Sequence, residues 1–230
     1  MTKKITRFLS LLLILLTVAC AGGSDDSIGN VTPGNGVEEC QNGNCTEFIP
    51  SYPIYDREAT FPNWFASPYK LPYAVGSTFQ INQGNTSGFG HSGFWQYGYD
   101  FTMCIGTQVL AARDGTVVHA NDGAGDGDRN NTNLITIQHH DGTVALYSHL
   151  TRNGVFVTAG AEVKQGDVIG LSGDTGNTGG LPHLHFSVHP CTSLPGLVGS
   201  GTDCSSIPVN FLNTESNPFG LGSGRCYTAK

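Results

Sequence analysis

From residue 105 onward the chain is a succession of short β-branched and aliphatic runs broken by glycine turns, a rhythm that leaves little room for helices. Val109-Leu110-Ala111-Ala112 and Thr116-Val117-Val118 flank Asp114-Gly115. Leu134-Ile135-Thr136-Ile137 and Val144-Ala145-Leu146-Tyr147 flank Asp141-Gly142, and Val163 and Val168-Ile169-Gly170-Leu171 flank Gly166-Asp167. An Asp-Gly step between strand-like runs is a strong hairpin cue, because the tight turn that matches strand twist needs φ > 0 at its centre. Each pair is therefore expected to close a hairpin. No stretch beyond residue 20 holds a 3.6-residue apolar period over a useful length. The 32 glycines and only 13% charged residues also argue against a bundle or coiled coil. The expectation is an all-β, antiparallel domain over residues 81–190.

The flanks have a different character. Through 51–80, aromatics alternate with prolines (Tyr52, Pro53, Tyr55, Phe61, Pro62, Trp64, Phe65, Pro68, Tyr69, Pro72, Tyr73), which suits an extended segment wrapped over that core. Residues 20–50 are rich in Gly, Ser, Asn and Asp and read as a flexible linker. Residues 191–230 read as a disulfide-pinned C-terminal tail. The loop over 121–133 has a calcium-loop composition but neither the terminal Glu nor the flanking helices of such a site, so a long, solvated hairpin loop is expected.

The first residues set the compartment. Lys3, Lys4 and Arg7 lead into an apolar run over 8–16, followed by Thr17-Val18-Ala19-Cys20. This is the pattern of a secretory signal over residues 1–19, and the run is shorter than the roughly 20 residues of a membrane span. A cysteine directly after the small residues resembles the bacterial lipobox, in which Cys20 becomes the lipidated first residue. Ala21 in the next position resembles the outer-membrane-directed class. The expectation is an exported lipoprotein, held by a lipid anchor alone at the periplasmic face of the outer membrane of a Gram-negative bacterium. Beyond Arg7, 8 basic residues face 18 acidic ones, which excludes the basic footprint of a nucleic-acid binder. Six further cysteines, Cys40, Cys45, Cys104, Cys191, Cys204 and Cys226, form an even set that reads as three disulfides in an oxidising compartment. Sequence leaves the pairing open; proximity favours Cys40 with Cys45 and Cys191 with Cys204, which leaves Cys104 with Cys226. A catalytic thiol at Cys104, near Asp100, is the disfavoured alternative.

The chemistry gathers on histidines. On a strand, His183 and His185 project from one face while Leu184 and Phe186 face the other way. His149 closes the run Tyr147-Ser148-His149-Leu150, and His91 and Asp100 stand in Gly90-His91-Ser92-Gly93 and Tyr99-Asp100-Phe101. Several convergent imidazoles and a carboxylate are hard to explain as packing, since a buried charge needs a partner. A divalent metal supplies one, and catalytic zinc takes three such protein ligands and leaves a fourth position for water. Further imidazoles then serve proton transfer and oxyanion stabilisation. The remaining histidines have plainer readings: His139 and His140 as solvated turn residues, His119 and His189 as structural. Arg113-Asp114 reads as a surface pair, and Tyr147 as a core aromatic or a residue that orients substrate.

Together these segments resemble the lysostaphin/LytM-type zinc peptidases. The resemblance is carried by Gly93 through Asp100-Phe101, Gly106-Thr107-Gln108-Val109-Leu110-Ala111-Ala112-Arg113-Asp114-Gly115, Leu146-Tyr147-Ser148-His149-Leu150, Val163-Lys164-Gln165-Gly166-Asp167-Val168-Ile169-Gly170, Thr175-Gly176-Asn177-Thr178-Gly179 and Pro182-His183-Leu184-His185-Phe186. They span about 70–190 in family order. The resemblance implies the family's duplicated-hybrid-motif β core, one Zn2+ per chain, and hydrolysis of amide bonds in the stem or cross-link peptides of peptidoglycan. Carried over by position, His91, Asp100 and His185 would hold zinc, and His149 and His183 would be the catalytic histidines. The commoner pattern has its first His four residues before the Asp, where this chain has Gln96; Tyr97-Gly98-Tyr99-Asp100-Phe101 resembles a branch that supplies that His from further upstream. Leu181 separates Gly180 from Pro182, where members usually run Gly-Pro-His. Two other readings compete: a metal-free module of the same fold that activates a partner wall amidase, and a disulfide-stabilised lipoprotein with structural histidines.

Overall fold

A computed structural model describes residues 45–88, 90–191 and 204–230. The signal, Cys20 and Cys40 lie outside these residues. Eleven strands carry the described chain: β1 (Thr78–Gln83), β2 (Tyr99–Thr102), β3 (Gln108–Leu110), β4 (Gly115–Asn121), β5 (Leu134–Gln138), β6 (Val144–Ser148), β7 (Leu150–Val155), β8 (Glu162–Val163), β9 (Val168–Ser172), β10 (His183–His189) and β11 (Cys226–Thr228). Eight form one sheet in the order β11-β1-β2-β10-β6-β5-β4-β8, and β3-β9-β7 form a second. All these pairings are antiparallel. The helical turns among the described residues are two short 3-10 segments, Trp64–Ala66 and Gly93–Trp95, and no helix there is long and apolar enough to cross a membrane. The all-β, antiparallel expectation holds.

The large sheet is two-sided. Tyr99, Phe101, Tyr147, Leu184 and Phe186 are fully buried on its core face, and Phe211 of the tail packs against Tyr99, Phe101 and Phe186. Burying each such side chain stabilises by about 2–3 kcal/mol relative to exposure. Tyr69, Leu71 and Tyr73 from the aromatic segment, and Val209, Leu221 and Tyr227 from the tail, join the same core. Alternation turns the partner residues of the same strands to the other face, and that face carries the chemistry.

Several local expectations are corrected. Only Asp141-Gly142 closes a hairpin, between β5 and β6. β3 and β4 go to different sheets, so Asp114-Gly115 is a corner. The Asp114 carboxylate takes the Gln165 N–H at 2.6 Å and the Lys164 ammonium at 3.2 Å, and a Cβ on Gly115 would lie 2.4 Å from the Gln138 carbonyl. β8 and β9 likewise part, β8 to β4 and β9 to β3 and β7. Arg113 pairs with Asp141 at 2.6 Å rather than with Asp114. His139 is buried beneath Tyr69, its Nδ1–H on the Asp114 carbonyl at 2.7 Å, whereas His140 is exposed, as expected. Tyr147 is a core residue, its hydroxyl accepting the Ala112 N–H at 2.9 Å. The loop over 121–133 is not simply solvated. Asn133 is fully buried and bonds both Ala124 and Leu150, and Asp126 accepts the Asp174 N–H.

The cysteines pair as expected at Cys191–Cys204, but Cys45 bonds Cys226 rather than Cys40. The cause is the course of the chain. Phe48 N–H donates to the Gly224 carbonyl and Glu47 pairs with Arg225, which lays residues 45–48 along the tail and sets Cys45 beside Cys226 with Cα atoms 5.9 Å apart. Cys104 is disulfide-bonded as well, which removes it as a thiol nucleophile.

Candidate metal centre

The register of β10 assembles the site. His185 stands opposite Asp100 of β2 on one side and Ser148 of β6 on the other. Directly opposed residues share a face, so the imidazole and the carboxylate meet: His185 Nδ1 lies 2.8 Å from Asp100 Oδ1. His183, two residues earlier, faces the same way, with Nε2 3.7 Å from Asp100 Oδ2. His149 follows β6 at once. It sits at φ 67°, a left-handed conformation that costs a non-glycine residue roughly 1–2 kcal/mol and turns the chain into β7. Its ring lies 4.6 Å from that of His183. His91 arrives from a loop, with Nε2 3.1 Å from Asp100 Oδ1 and its ring 5.1 Å from that of His185.

All five residues thus converge on one cleft of about 480 Å³, whose walls include Gln83, Trp95, Leu134, Asn177 and Thr178. One donor atom each from His91, Asp100 and His185 lies within 4.8 Å of the others, and all three residues are buried. Three cleft histidines have Nδ1 anchored on a main-chain carbonyl: His91 on Gly84 at 2.8 Å, His149 on Thr175 at 2.6 Å and His183 on Leu181 at 2.7 Å. A carbonyl only accepts, so Nδ1 carries the proton and the neutral ring leaves Nε2 bare. These anchors were not foreseen from sequence. His189 lies on the same face further along β10 but is held by Cys204 and Ser187, a structural role as expected; His119 is exposed on β4.

Electrostatics sharpen the picture. Burial would raise the Asp100 pKa, but the His91 and His183 imidazoles and the His185 hydrogen bond overcome it and hold the group well below the usual range. Asp100 is therefore a carboxylate. Burial lowers His91, yet Asp100 opposes it and the net shift is upward. His185 is lowered, chiefly by burial. His149 is pushed down to about 3, first by burial and then by His183 and His185. The cluster thus calls for positive charge beside Asp100 while burial resists protonating His149 and His185.

A divalent cation fits that demand. The buried Nε2 atoms of His91 and His185 have no hydrogen-bond partner, and two nitrogens with one carboxylate oxygen form a borderline donor set of the kind zinc takes.

The comparisons with known proteins agree with this geometry. A profile of peptidase family M23 matches residues 95–194, a stretch holding Asp100, His149, His183 and His185 and beginning just after His91. Peptidoglycan DD-endopeptidase ShyA of Vibrio cholerae is 40% identical over 91 residues, covering 40% of this chain and 19% of that protein. Glycyl-glycine endopeptidase ALE-1 of Staphylococcus capitis is 39% identical over 138 residues, 56% of this chain and 33% of that protein. The chain spans a third or less of the length of these curated relatives. The solved structure of the M23 metalloprotease pseudoalterin from the deep sea shares the fold, with a TM-score of 0.50 at 15% identity over 72% of this chain and 99% of that one. Sequence motifs and matched profile converge on one segment: residues 95–194 carry a peptidase family M23 domain of the LytM/lysostaphin type.

Proposed function

We propose that this chain is a zinc-dependent endopeptidase that hydrolyses amide bonds in the peptides of peptidoglycan, with His91, Asp100 and His185 holding the metal and His149 and His183 acting on the reacting groups. The observation that carries the reading is the pair His149 and His183. Their Nδ1–H groups are committed to carbonyls and their rings share the cleft with His91, Asp100 and His185, a buried triad able to hold a metal ion. ShyA and ALE-1, named as a peptidoglycan DD-endopeptidase and a glycyl-glycine endopeptidase, support the substrate class.

A bound zinc ion would supply Lewis acidity for amide hydrolysis. The protein's own groups do the rest. The depressed proton affinity of His149 keeps its Nε2 free at working pH, so it can accept a proton from water as the oxygen adds to the scissile carbonyl carbon. The resulting imidazolium is a strong acid for the departing amine. His183, on the opposite side of a 4.6 Å ring pair, stands where it can stabilise charge on the former carbonyl oxygen. The Thr175 and Leu181 carbonyls hold both rings in the tautomer that this exchange requires.

Within this reading, residues 1–19 are a signal and Cys20 a lipid anchor to the periplasmic face of the outer membrane, where the D-alanyl–diaminopimelate cross-link would be the bond cut. Incubation with sacculi, followed by mass spectrometry of the released muropeptides, tests both activity and bond. Release of uncrosslinked peptides that stops on chelation is expected. A zinc-loaded, folded sample that releases nothing would overturn the reading in favour of a binding module.

A further inference from the structure

His91 differs from Asp100 and His185 in how it is held. Those two stand on paired strands, whereas His91 stands on the connection between β1 and β2. The ladder that should steady the start of that connection is itself irregular, since the β1–β2 register shifts between Ile81 and Gln83. What holds the next residue, Gly84, is the C-terminal tail. Gly84 N–H donates to Ser223 Oγ at 2.8 Å, and the Gly84 carbonyl accepts the His91 Nδ1–H at 2.8 Å. The two bonds flank a single Cα.

Ser223 is itself immobile. It is fully buried, its N–H donates to the Ile54 carbonyl at 3.0 Å, and the next residue, Gly224, donates to Ile81 at 2.7 Å. Contact with the tail is close enough that a Cβ on Gly84 would lie 3.0 Å from both Ser223 Oγ and the Leu221 carbonyl.

We infer that Ser223 is a positioning residue of the metal centre: it fixes Gly84, whose carbonyl fixes the tautomer and heading of His91. The inference rests on the reading of His91 as a ligand. An imidazole on a loop can turn about its Cβ–Cγ bond, and the Nδ1–H anchor aims Nε2 at the ion. Loss of such an outer partner typically weakens metal binding by about 10–100-fold. The C-terminal tail is then part of the metal site, although none of its described residues lines the cleft.

The test uses the full chain and zinc titrated against a competing chelator. Ser223→Ala is expected to bind zinc at least about tenfold more weakly and to lose or broaden the His91 Nδ1–H resonance in nitrogen–proton spectra of the zinc-loaded protein. Ser223→Cys fills the same space with a weaker acceptor and should fall between Ser223→Ala and the parent. Asn213→Ala removes a different tail hydrogen bond, the one to Leu71 N–H at 2.8 Å. It should lower thermal stability and leave zinc affinity unchanged. Parental zinc affinity in both Ser223 variants, while His91→Ala loses the metal, overturns the inference and spares the ligand reading. Stoichiometric, tight zinc in His91→Ala overturns both.

Discussion

Four cleft imidazoles are each fixed through Nδ1, three on carbonyls and His185 on Asp100, and this division of labour makes their substitutions distinguishable. On the proposed roles, His149→Ala removes a cleft-lining proton acceptor and leaves the ligand set intact. It should retain stoichiometric zinc and lose turnover by about 10²–10³-fold, the scale for one transition-state stabiliser; comparable turnover would take His149 out of the mechanism. His185→Ala should lose zinc and activity together, because a ligand supports both, and stoichiometric zinc in that variant would show the ligand set to be wrong. The side chains of this site were legible in the sequence because they carry patterned chemistry. Two-residue spacing puts His183 and His185 on one face of a strand, and the isolated Asp100 between Tyr99 and Phe101 needs a partner once its strand is buried. Their anchors were not legible. The oxygens of Gly84, Thr175 and Leu181 are main-chain atoms that every residue possesses, so only the fold singles them out.

At the scale of elements, apolar runs announced most strands, while their partners depended on what lies opposite each turn. Asp114-Gly115 and Asp141-Gly142 are the same dipeptide, yet only the second joins adjacent strands. The first is claimed by Gln165 and Lys164 from another turn, and no local signal encodes that. The same holds for the tail. β11 was hidden in a glycine- and serine-rich segment, and it completes the sheet edge against β1 under a Cys45–Cys226 bond that spans 181 residues. Closing so long a loop removes much denatured-chain entropy, up to about 5 kcal/mol on that account and about 2–4 kcal/mol for a typical native bridge. The double variant Cys45→Ala/Cys226→Ala should therefore unfold at markedly lower denaturant. It should also lose hydrogen-exchange protection at Ile81, whose N–H is held by the Arg225 carbonyl at 2.9 Å. An unchanged midpoint with Ile81 still protected would show that β11 stays docked without its covalent tie.

For the whole molecule, the buried histidines make folding depend on pH, and His189 offers the clearest handle. It is fully buried, stacked on Phe94 with ring centroids 4.5 Å apart. Its Nδ1–H reaches the Cys204 carbonyl at 2.8 Å and its Nε2 meets the Ser187 hydroxyl at 2.9 Å, so the neutral ring is satisfied at both nitrogens. Burial, reinforced by His185 and opposed by the Cys204 carbonyl, pushes its pKa down to about 4 from an ordinary value of 6.5. Above pH 6.5 the ring is neutral both folded and unfolded and contributes no pH dependence. Between pH 6.5 and 4 the unfolded chain binds the proton and the folded one does not, so stability falls with pH by about 1.4 kcal/mol per unit, to a total of about 3 kcal/mol. Below pH 4 both forms are protonated and the loss stops growing. Denaturant unfolding of the parent and of His189→Asn across pH 4–7 isolates this contribution, because the other titrating groups are common to both. The variant should be less stable at pH 7, having lost a packed ring, and its stability should fall less steeply toward pH 4. Parallel slopes would mean that His189 takes up its proton in the folded state, and that the acid sensitivity of the molecule resides elsewhere.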